Sequence, residues 1–430
     1  MSARLASRTF SSLRIRNYRL YFTGQLVSVS GTWTQWVAQS WLIVKTLHGN
    51  GVELGVVAAL QCGPMLVGGL WGGVLADRFA KRTLLYWTNA LQALFSAALG
   101  VLALTGVVRI WEIYLFALLS GSAMIVDMPT RQAFVMEMVG SREVPNAVAL
   151  NSVVLNGGRL IGPAVAAGLI KLFHDNTAPA FLVNAATFLV VIAAVARMDP
   201  ATLLPAVKAQ RAPGQVREGL RFIFATPVLR DTLLLVAILT TLGFNFIVVL
   251  PLIAKFTFHG GAGIYALLSS IMAVGSITGG LLTASRRRPS LKFLLNAALG
   301  FGGATLLAAW APSIAGECLI LIGVGVTSMA FIATANSTLQ LNSPDAMRGR
   351  VMAAYSLLIV GGNTVGAPII GWIAQATNAR VGFVAGGGAS LVAASLAWIW
   401  VRRLRVEPPR AAPITPEVVE LAGETAVSGT

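Results

Sequence analysis

Twelve apolar stretches, each of about 20 residues, constrain this chain more than any other feature of its sequence. A helix of that length crosses the hydrocarbon core of a bilayer. Helix is the expected state because an open sheet leaves backbone groups unsatisfied in lipid, and the stretches lack the alternation of barrel strands. The predicted spans are residues 18–45, 52–76, 83–106, 111–128, 148–171, 178–197, 229–255, 262–284, 291–311, 315–338, 351–375 and 381–402.

The composition excludes a soluble globular protein. Of the 430 residues, 56% are hydrophobic and 11% charged, whereas a soluble domain carries about 25% charged residues. Cys62 and Cys318 both lie in apolar stretches, so the sequence has no disulfide framework and no paired-cysteine metal motif. The chain is therefore predicted to be an all-α membrane protein in contact with the lipid bilayer.

The net charge of +16 predicts the orientation of the chain. With both termini in the cytoplasm, 26 of the 32 Lys and Arg residues lie on the cytoplasmic side and five on the outer side. This asymmetry follows the positive-inside rule. A basic chain could instead bind nucleic acid, but cations that mark cytoplasmic loops make that partner unexpected. The remaining cation, Arg159, lies within a span.

The longest connection between spans is rich in proline and basic residues, and it reads as a linker between two halves. The predicted organisation has a cytoplasmic N-terminal segment (1–17), an N-terminal six-helix bundle (18–197), a cytoplasmic linker (198–228), a C-terminal six-helix bundle (229–402) and a disordered cytoplasmic tail (403–430).

Matching residues in the two halves predict an internal repeat. At an offset of 210, Gln35 and Lys45 match Asn245 and Lys255. At an offset of 204, the glycines of span 5 recur in span 11, where Gly158 and Gly162 match Gly362 and Gly366. An even number of spans separates the copies, so we expect two parallel-repeat bundles around a central cavity that opens alternately to each side.

The loop after span 2 carries a glycine, a carboxylate and three cations: Gly73, Asp77, Arg78, Lys81 and Arg82. It resembles motif A of the major facilitator superfamily, with Ala80 in place of the second glycine. The resemblance implies the major facilitator fold and a cytoplasmic latch, in which the carboxylate meets a helix end and nearby cations. The alternative is a solvated charge cluster that obeys the positive-inside rule.

Span 5 carries Gly158, Gly162 and Pro163, and it resembles motif C of the same superfamily. That motif is associated with exporters of the antiporter type, so the resemblance implies export. The glycines also allow close helix approach and the proline kinks the span, which is a packing role compatible with export.

The segments around Asp127, Arg131 and Pro145, together with Arg159, resemble one branch of the superfamily. That branch includes the bacterial enterobactin exporter and drug and macrolide efflux pumps of the drug:proton antiporter type. The resemblance implies a drug or siderophore as substrate, proton antiport and a location in the bacterial inner membrane. An importer, or an exporter of an envelope lipid or metabolite, has the same fold and remains an alternative.

Charged residues in or near the spans need partners, because a charge inside a membrane is costly. We expect Asp127 to pair with Arg131 or with the cations after span 2, and a proton-carrying role is the alternative. Arg159 either contacts substrate in the cavity or forms a hydrogen-bond hub with Asn151 and Asn156.

The superfamily resemblance places spans 1, 4, 7 and 10 around the cavity. Candidate substrate contacts are therefore Trp33, Gln35, Trp36, Gln39, Asn245 and Asn336, with helix packing as the alternative for each. No phosphate-binding glycine motif occurs, and His48, His174 and His259 are far apart in sequence. We therefore expect no enzymatic activity, no cofactor and no metal, and a monomer with a small molecule and protons as its partners.

Overall fold

The computed structural model describes residues 11–204, 215–286 and 290–404, and in these residues the secondary structure is entirely helical. The all-α prediction is therefore confirmed. The helices are α1 (Arg16–Trp41), α2 (Gly51–Arg78), α3 (Lys81–Thr105), α4 (Ile110–Leu172), α5 (Ala178–Ala196), α6 (Gln215–Ala225), α7 (Pro227–Ile238), α8 (Phe246–Leu252), α9 (Ala262–Ala284), α10 (Leu291–Ala308), α11 (Ile314–Leu341), α12 (Asp345–Ala376) and α13 (Ala379–Leu404).

Ten helical segments of the described chain are long and apolar enough to cross a membrane, whereas the sequence predicts twelve spans. Two features account for the difference. Polar residues such as Gln25, Gln35 and Gln39 make α1 too polar on average to be counted. Helix α4 counts once, although its 63 residues would extend about 95 Å if straight, three times the thickness of the hydrocarbon core. The count of twelve stays a prediction.

Helix α4 is divided by Gly140. This residue has φ 68° and ψ 165°, a conformation that is accessible essentially to glycine alone. The break separates a first limb (110–139) from a second limb (141–172). The predicted spans 111–128 and 148–171 lie on different limbs of this one helix, and the turns between them remain helical except at Gly140.

Distant segments of the N-terminal part (residues 11–204) meet at one end of the helices. The Asn17 side-chain amide donates to Asp199 O and Thr202 Oγ1, both at 2.9 Å. The Tyr18 hydroxyl donates to Ala147 O at 2.9 Å. We call this the basic end, because α2 ends at Arg78 and α3 begins with Lys81 and Arg82 there. We call the opposite end the far end.

At the far end, the N-terminal part contacts the C-terminal part (residues 215–404). The backbones of α2 and α12 approach so closely that a Cβ on Gly51 would collide with Gly371 O, and one on Gly371 would collide with Gly51 O. The Lys255 ammonium donates to Val44 O across the same boundary. These contacts close the far end between the two parts.

The same local structure occurs at the end of α1 and at the end of α8. A π-helical turn, Leu42–Thr46 or Ile253–Thr257, precedes a histidine with positive φ, 52° at His48 and 50° at His259. The offset between the two turns is 211 residues. The match of Lys45 with Lys255 is therefore displaced by one residue from the structural correspondence.

The predicted linker 198–228 contains α6, whose Glu218 carboxylate forms an ion pair with Arg350 of α12 at 2.7 Å. The linker is therefore held against the C-terminal part by a charged contact. Most of the predicted N-terminal segment, residues 1–10, lies outside the described residues, as does the predicted disordered tail apart from residues 403 and 404, which belong to α13.

We predict that Gly140→Ala destabilises the protein. A side chain at this φ and ψ costs about 1–3 kcal/mol, and its Cβ would lie 2.9 Å from Leu204 Cδ1. Gly168→Ala is the matched control, because nothing lies within 4 Å of its added Cβ and alanine favours a helix by about 1 kcal/mol. Thermal unfolding of the purified full chain measures both. An unchanged midpoint for Gly140→Ala would contradict the strained hinge.

Candidate functional site

The motif A-like segment lies at the basic end, where α2 ends and α3 begins. Gly73 is half-buried, and Asp77 and Arg78 are exposed. Lys81 is only 8% exposed, and its ammonium forms an ion pair with the Glu137 carboxylate at 2.9 Å. This ion pair joins α3 to α4 within the N-terminal part.

Arg82 contacts the end of a neighbouring helix. Its guanidinium donates to Ala196 O, the last residue of α5, at 3.1 Å. Its side chain also lies over the Tyr86 ring, 5.8 Å from the centroid. A cation at a helix C-terminus interacts favourably with the partial negative charge of the terminal carbonyls. This contact ties α3 to α5 at the basic end.

Asp127 and Arg131 form a buried polar network in α4. Asp127 is 5% exposed and forms an ion pair with Arg131 one turn later. The Thr88 hydroxyl donates to the same carboxylate at 2.7 Å, and the Arg131 guanidinium donates to the Gln25 side-chain oxygen. Of the partners considered from sequence, Asp127 contacts Arg131, and the network links α1, α3 and α4.

Two carboxylates at least partly buried, Glu137 and Glu317, are not among the site residues predicted from the sequence. Glu137 pairs with Lys81, and its sequence signal is the position of an acid six residues after Arg131. Glu317 is 1% exposed in the first turn of α11. An acid inside the predicted span 315–338 was itself a signal, because intramembrane ionisable residues are usually functional.

The motif C-like glycines form the contact between α1 and the second limb of α4. A Cβ on Gly158 would lie 2.6 Å from Val29 Cγ1. A Cβ on Gly162 would lie 2.9 Å from the Thr34 backbone nitrogen, and the Thr34 hydroxyl donates to Gly162 O at 3.1 Å. Pro163 is buried directly after this contact. The glycines therefore serve close packing in this structure.

This packing places Arg159 beside Trp33. The guanidinium carbon of Arg159 lies 5.0 Å from the centroid of a Trp33 ring. The predicted hub is not formed, because Asn156 donates to Ser152 O in its own helix at 2.8 Å and no hydrogen bond joins Arg159 to Asn151 or Asn156 within the described chain. Arg159 is half-buried and faces an aromatic side chain.

A small pocket lies between the two parts of the chain. It is lined from α1, α2 and α8, by Trp36, Gln39, Ser40, Leu54, Val57, Ala58, Gln61 and Ile247. The Trp36 ring contacts the Trp33 ring edge-on at 4.9 Å between centroids. The Gln61 amide donates to the Gln39 side-chain oxygen at 3.3 Å. Trp33, Trp36 and Gln39 therefore lie along one face of α1.

Two of the amides predicted to contact substrate are engaged in helix packing instead. The Gln35 side-chain oxygen accepts hydrogen bonds from Ser96 and Asn184 inside the N-terminal part. Asn245 is 2% exposed, and its amide donates to Thr241 O at 2.7 Å. The match of Gln35 with Asn245 at an offset of 210 is therefore displaced by one residue from the structural correspondence, and the two amides have different partners.

A further candidate amide, Asn336 of α11, is half-buried and accepts a hydrogen bond from the Gln340 amide one turn later in the same helix.

In the parts of the chain that the structure describes, no group of three or more His, Cys, Asp or Glu side chains is arranged to hold a metal ion. The site is therefore an aromatic and amide-lined face with one guanidinium beside it.

The sequence matches the model of one protein family, described as transmembrane secretion effector, over residues 7–418. This match covers nearly the whole chain. The protein belongs to this family of the major facilitator superfamily. The family match agrees with the resemblance of the sequence to motifs A and C of the superfamily.

Curated relatives of this family member include siderophore transporters. It is 28% identical over 274 residues to the staphyloferrin A transporter of Staphylococcus aureus, an alignment that covers 61% of this chain and 66% of that protein. It is 27% identical over 414 residues to the enterobactin exporter EntS of Shigella boydii, which covers 91% of this chain and 94% of that protein.

Solved structures show the same fold at low sequence identity. A bacterial homologue of the human lysosomal transporter Spinster matches with a TM-score of 0.69 at 15% identity, over 91% of this chain and 99% of that one. A D-xylose–proton symporter matches with a TM-score of 0.67 at 16% identity, over 90% and 96%. The chain thus has the fold of a multi-span membrane transporter.

We predict that Asp127→Asn destabilises the protein, because it leaves the Arg131 guanidinium in the interior without its anion. Breaking a buried pair costs about 3–5 kcal/mol, and the one-fifth exposure of Arg131 places the cost at about 3 kcal/mol or less. The double variant Asp127→Asn/Arg131→Gln should recover part of the loss.

The control is Asp231→Asn, whose carboxylate pairs with the neighbouring Arg230 at 3.0 Å in a more exposed setting. We expect a loss below about 1 kcal/mol for that variant. Thermal unfolding of the purified variants measures the comparison. Equal losses of stability for Asp127→Asn and Asp231→Asn would show that the network around Asp127 stabilises the protein no more than an exposed ion pair does.

Proposed function

We propose that this protein is a secondary transporter that exports an amphipathic small molecule, such as a siderophore or a drug, across the bacterial inner membrane. The observation that carries the proposal is the similarity to an enterobactin exporter along almost the whole chain. The family description, transmembrane secretion effector, supports export over import. The aromatic and amide-lined face of α1 supports an amphipathic ligand.

We further propose twelve membrane crossings in two six-helix bundles, with both termini in the cytoplasm. The two limbs of α4 supply two crossings, and α1 supplies one. The basic end then lies in the cytoplasm, because 26 of the 32 cations mark that side under the positive-inside rule. The far end faces the outside.

On this orientation, the described conformation is closed towards the outside. Contacts between Gly51 and Gly371 and between Lys255 and Val44 hold the far end shut. We propose that export requires these contacts to separate while the motif A-like residues at the basic end form the latch between the bundles. The exposed position of Asp77 at the end of α2 supports this role.

Proton antiport is proposed as the energy source. Two buried carboxylates of the described chain, Asp127 and Glu317, support it as candidate proton carriers. Asp127 is held by an arginine and a threonine. Glu317 has a buried Oε1 without a hydrogen-bond partner, so its neutral form is the cheaper one to bury.

We predict that energised inverted membrane vesicles that contain the protein accumulate a siderophore or drug from a panel of both. Inverted vesicles expose the cytoplasmic face, so an exporter loads them. An uncoupler should reduce the accumulation to the level of vesicles without the protein. Accumulation that is insensitive to the uncoupler would remove proton antiport, and accumulation only in right-side-out vesicles would identify an importer.

We predict that a reversible cross-link at the far end stops transport. The Gln375 side-chain oxygen accepts a hydrogen bond from the Val52 backbone nitrogen at 3.4 Å, so cysteines at these two positions should be within reach of a short thiol cross-linker. The background carries Cys62→Ala and Cys318→Ala. Accumulation should fall to background after cross-linking and return after reduction.

The matched control is Val52→Cys alone with the same cross-linker, which should keep its transport rate. Full transport by the cross-linked double variant would contradict alternating access through the far end.

A further inference from the structure

Arg159 has a charge that no group of the described chain neutralises. The described residues offer the guanidinium no ion pair and no hydrogen bond, and its one contact of note is the Trp33 ring. A cation–π contact contributes about 0.5–2 kcal/mol, whereas an arginine at the centre of a membrane span costs about 2.5–3.5 kcal/mol or more. The five N–H donors of the guanidinium are thus available to an anion.

The four carboxylates of the same helix have other partners. Glu112 accepts a hydrogen bond from the Arg109 backbone nitrogen, and Glu143 accepts hydrogen bonds from Ser11 and Ser12. Asp127 is paired with Arg131, and Glu137 is paired with Lys81. Both pairs lie on the first limb of α4, beyond the break at Gly140. The anion that would complete the site around Arg159 therefore has to come from a ligand.

A second open donor lies further along the same face of α1. Gln39 is 3% exposed, and its side-chain oxygen accepts from Gln61. Its side-chain nitrogen is buried without an acceptor. Leaving such a donor unsatisfied costs about 1–3 kcal/mol. The Gln39 amide is thus suited to donate to a carbonyl or hydroxyl oxygen in the pocket beside Trp36.

The two donors are separated by an aromatic surface. Trp33 lies under Arg159, and Trp36 extends the aromatic surface to the pocket that contains Gln39. Six residues of helix separate Trp33 from Gln39, or about 9 Å along the axis. A ligand that satisfies both donors needs an oxyanion at one end, a flat apolar middle and a neutral oxygen at the other end.

We propose that Arg159, stacked on Trp33, binds a carboxylate of the transported molecule, so that the pathway selects carboxylate-bearing amphipathic substrates. A carboxylate fits best because its two oxygens match the planar fork of a guanidinium. The basic end adds to the selection, because a surface rich in Lys and Arg attracts anions. This inference rests on the proposed function in that it assigns the transported substrate to this site.

The test uses three dansyl probes that share one aromatic group and differ in one terminal group. Dansyl-6-aminohexanoate carries a carboxylate, its methyl ester is neutral, and dansylcadaverine carries an amine. Binding to the purified full chain in nanodiscs is followed by dansyl fluorescence. We expect the wild type to bind the carboxylate about tenfold or more tighter than the ester, and the amine most weakly.

The variants isolate the charge at residue 159. Arg159→Gln should lower the affinity for the carboxylate to that for the ester, and Arg159→Lys should retain part of the preference, because lysine keeps the charge but lacks the fork. Arg109→Gln removes one exposed cation at the far end and should change nothing. Membrane abundance and gel-filtration behaviour identify variants that fold.

Equal binding of the three probes by the wild type would overturn the inference, even if Arg159→Gln fails to fold. An unchanged preference in folded Arg159→Gln would overturn it as well. The proposed function is tested separately by uptake of the same probes into inverted vesicles. An Arg159-dependent preference in binding without uptake would support the site and contradict export, whereas uptake of all three probes at one rate would support transport and contradict the site.

Discussion

Close packing of α1 against the second limb of α4 determines where the groups of the candidate pathway lie. Gly158 and Gly162 have no side chains to separate the two helices, so the backbones meet near Val29 and Thr34. In a membrane this contact has no hydrophobic driving force, and it depends on van der Waals packing and on bonds such as that from Thr34 to Gly162. A larger residue at either glycine would move Arg159 away from Trp33.

Of the three charged residues Lys81, Asp127 and Arg159, two are neutralised by an ion pair and one is not. Lys81 is neutralised by Glu137 and Asp127 by Arg131, and each pair joins or stiffens elements of the N-terminal part. A buried pair is weak evidence for stability, because desolvation offsets much of its attraction. The exception is Arg159, which no carboxylate of the described chain neutralises. The contrast between satisfied and unsatisfied charge separates structural cations from the one we assign to the substrate.

The sequence predicted the helical state well, because hydropathy over 20 residues reports directly on what a bilayer requires. It also identified the segments in which Asp127 and Arg159 lie. The sequence did not predict the direction in which each side chain of α1 points. Gln35 and Gln39 are both amides of one apolar helix, yet Gln35 binds Ser96 and Asn184 inside the bundle, whereas Gln39 lines the pocket.

That difference depends on which neighbour each face of α1 meets, and a single sequence does not contain this information. The sequence also gives no clear signal for π-helical turns, which change the phase of a helix, and a further turn of this kind (Leu239–Gly243) lies just before Asn245. Glu317 is a different case, because an acid inside the predicted span 315–338 is itself a sequence signal of a functional residue.

The continuity of α4 has a mechanical consequence. Asp127 and Arg159 lie on the two limbs of α4, and Gly140 is the residue with non-helical φ and ψ between them. The segment between the Asp127–Arg131 ion pair and Arg159 contains no long loop. A rotation of either limb must therefore be taken up at Gly140 or be passed on to the other limb. The backbone at Gly140 thus determines how far a movement of Asp127 and Arg131 is transmitted to Arg159, the residue that we assign to the substrate.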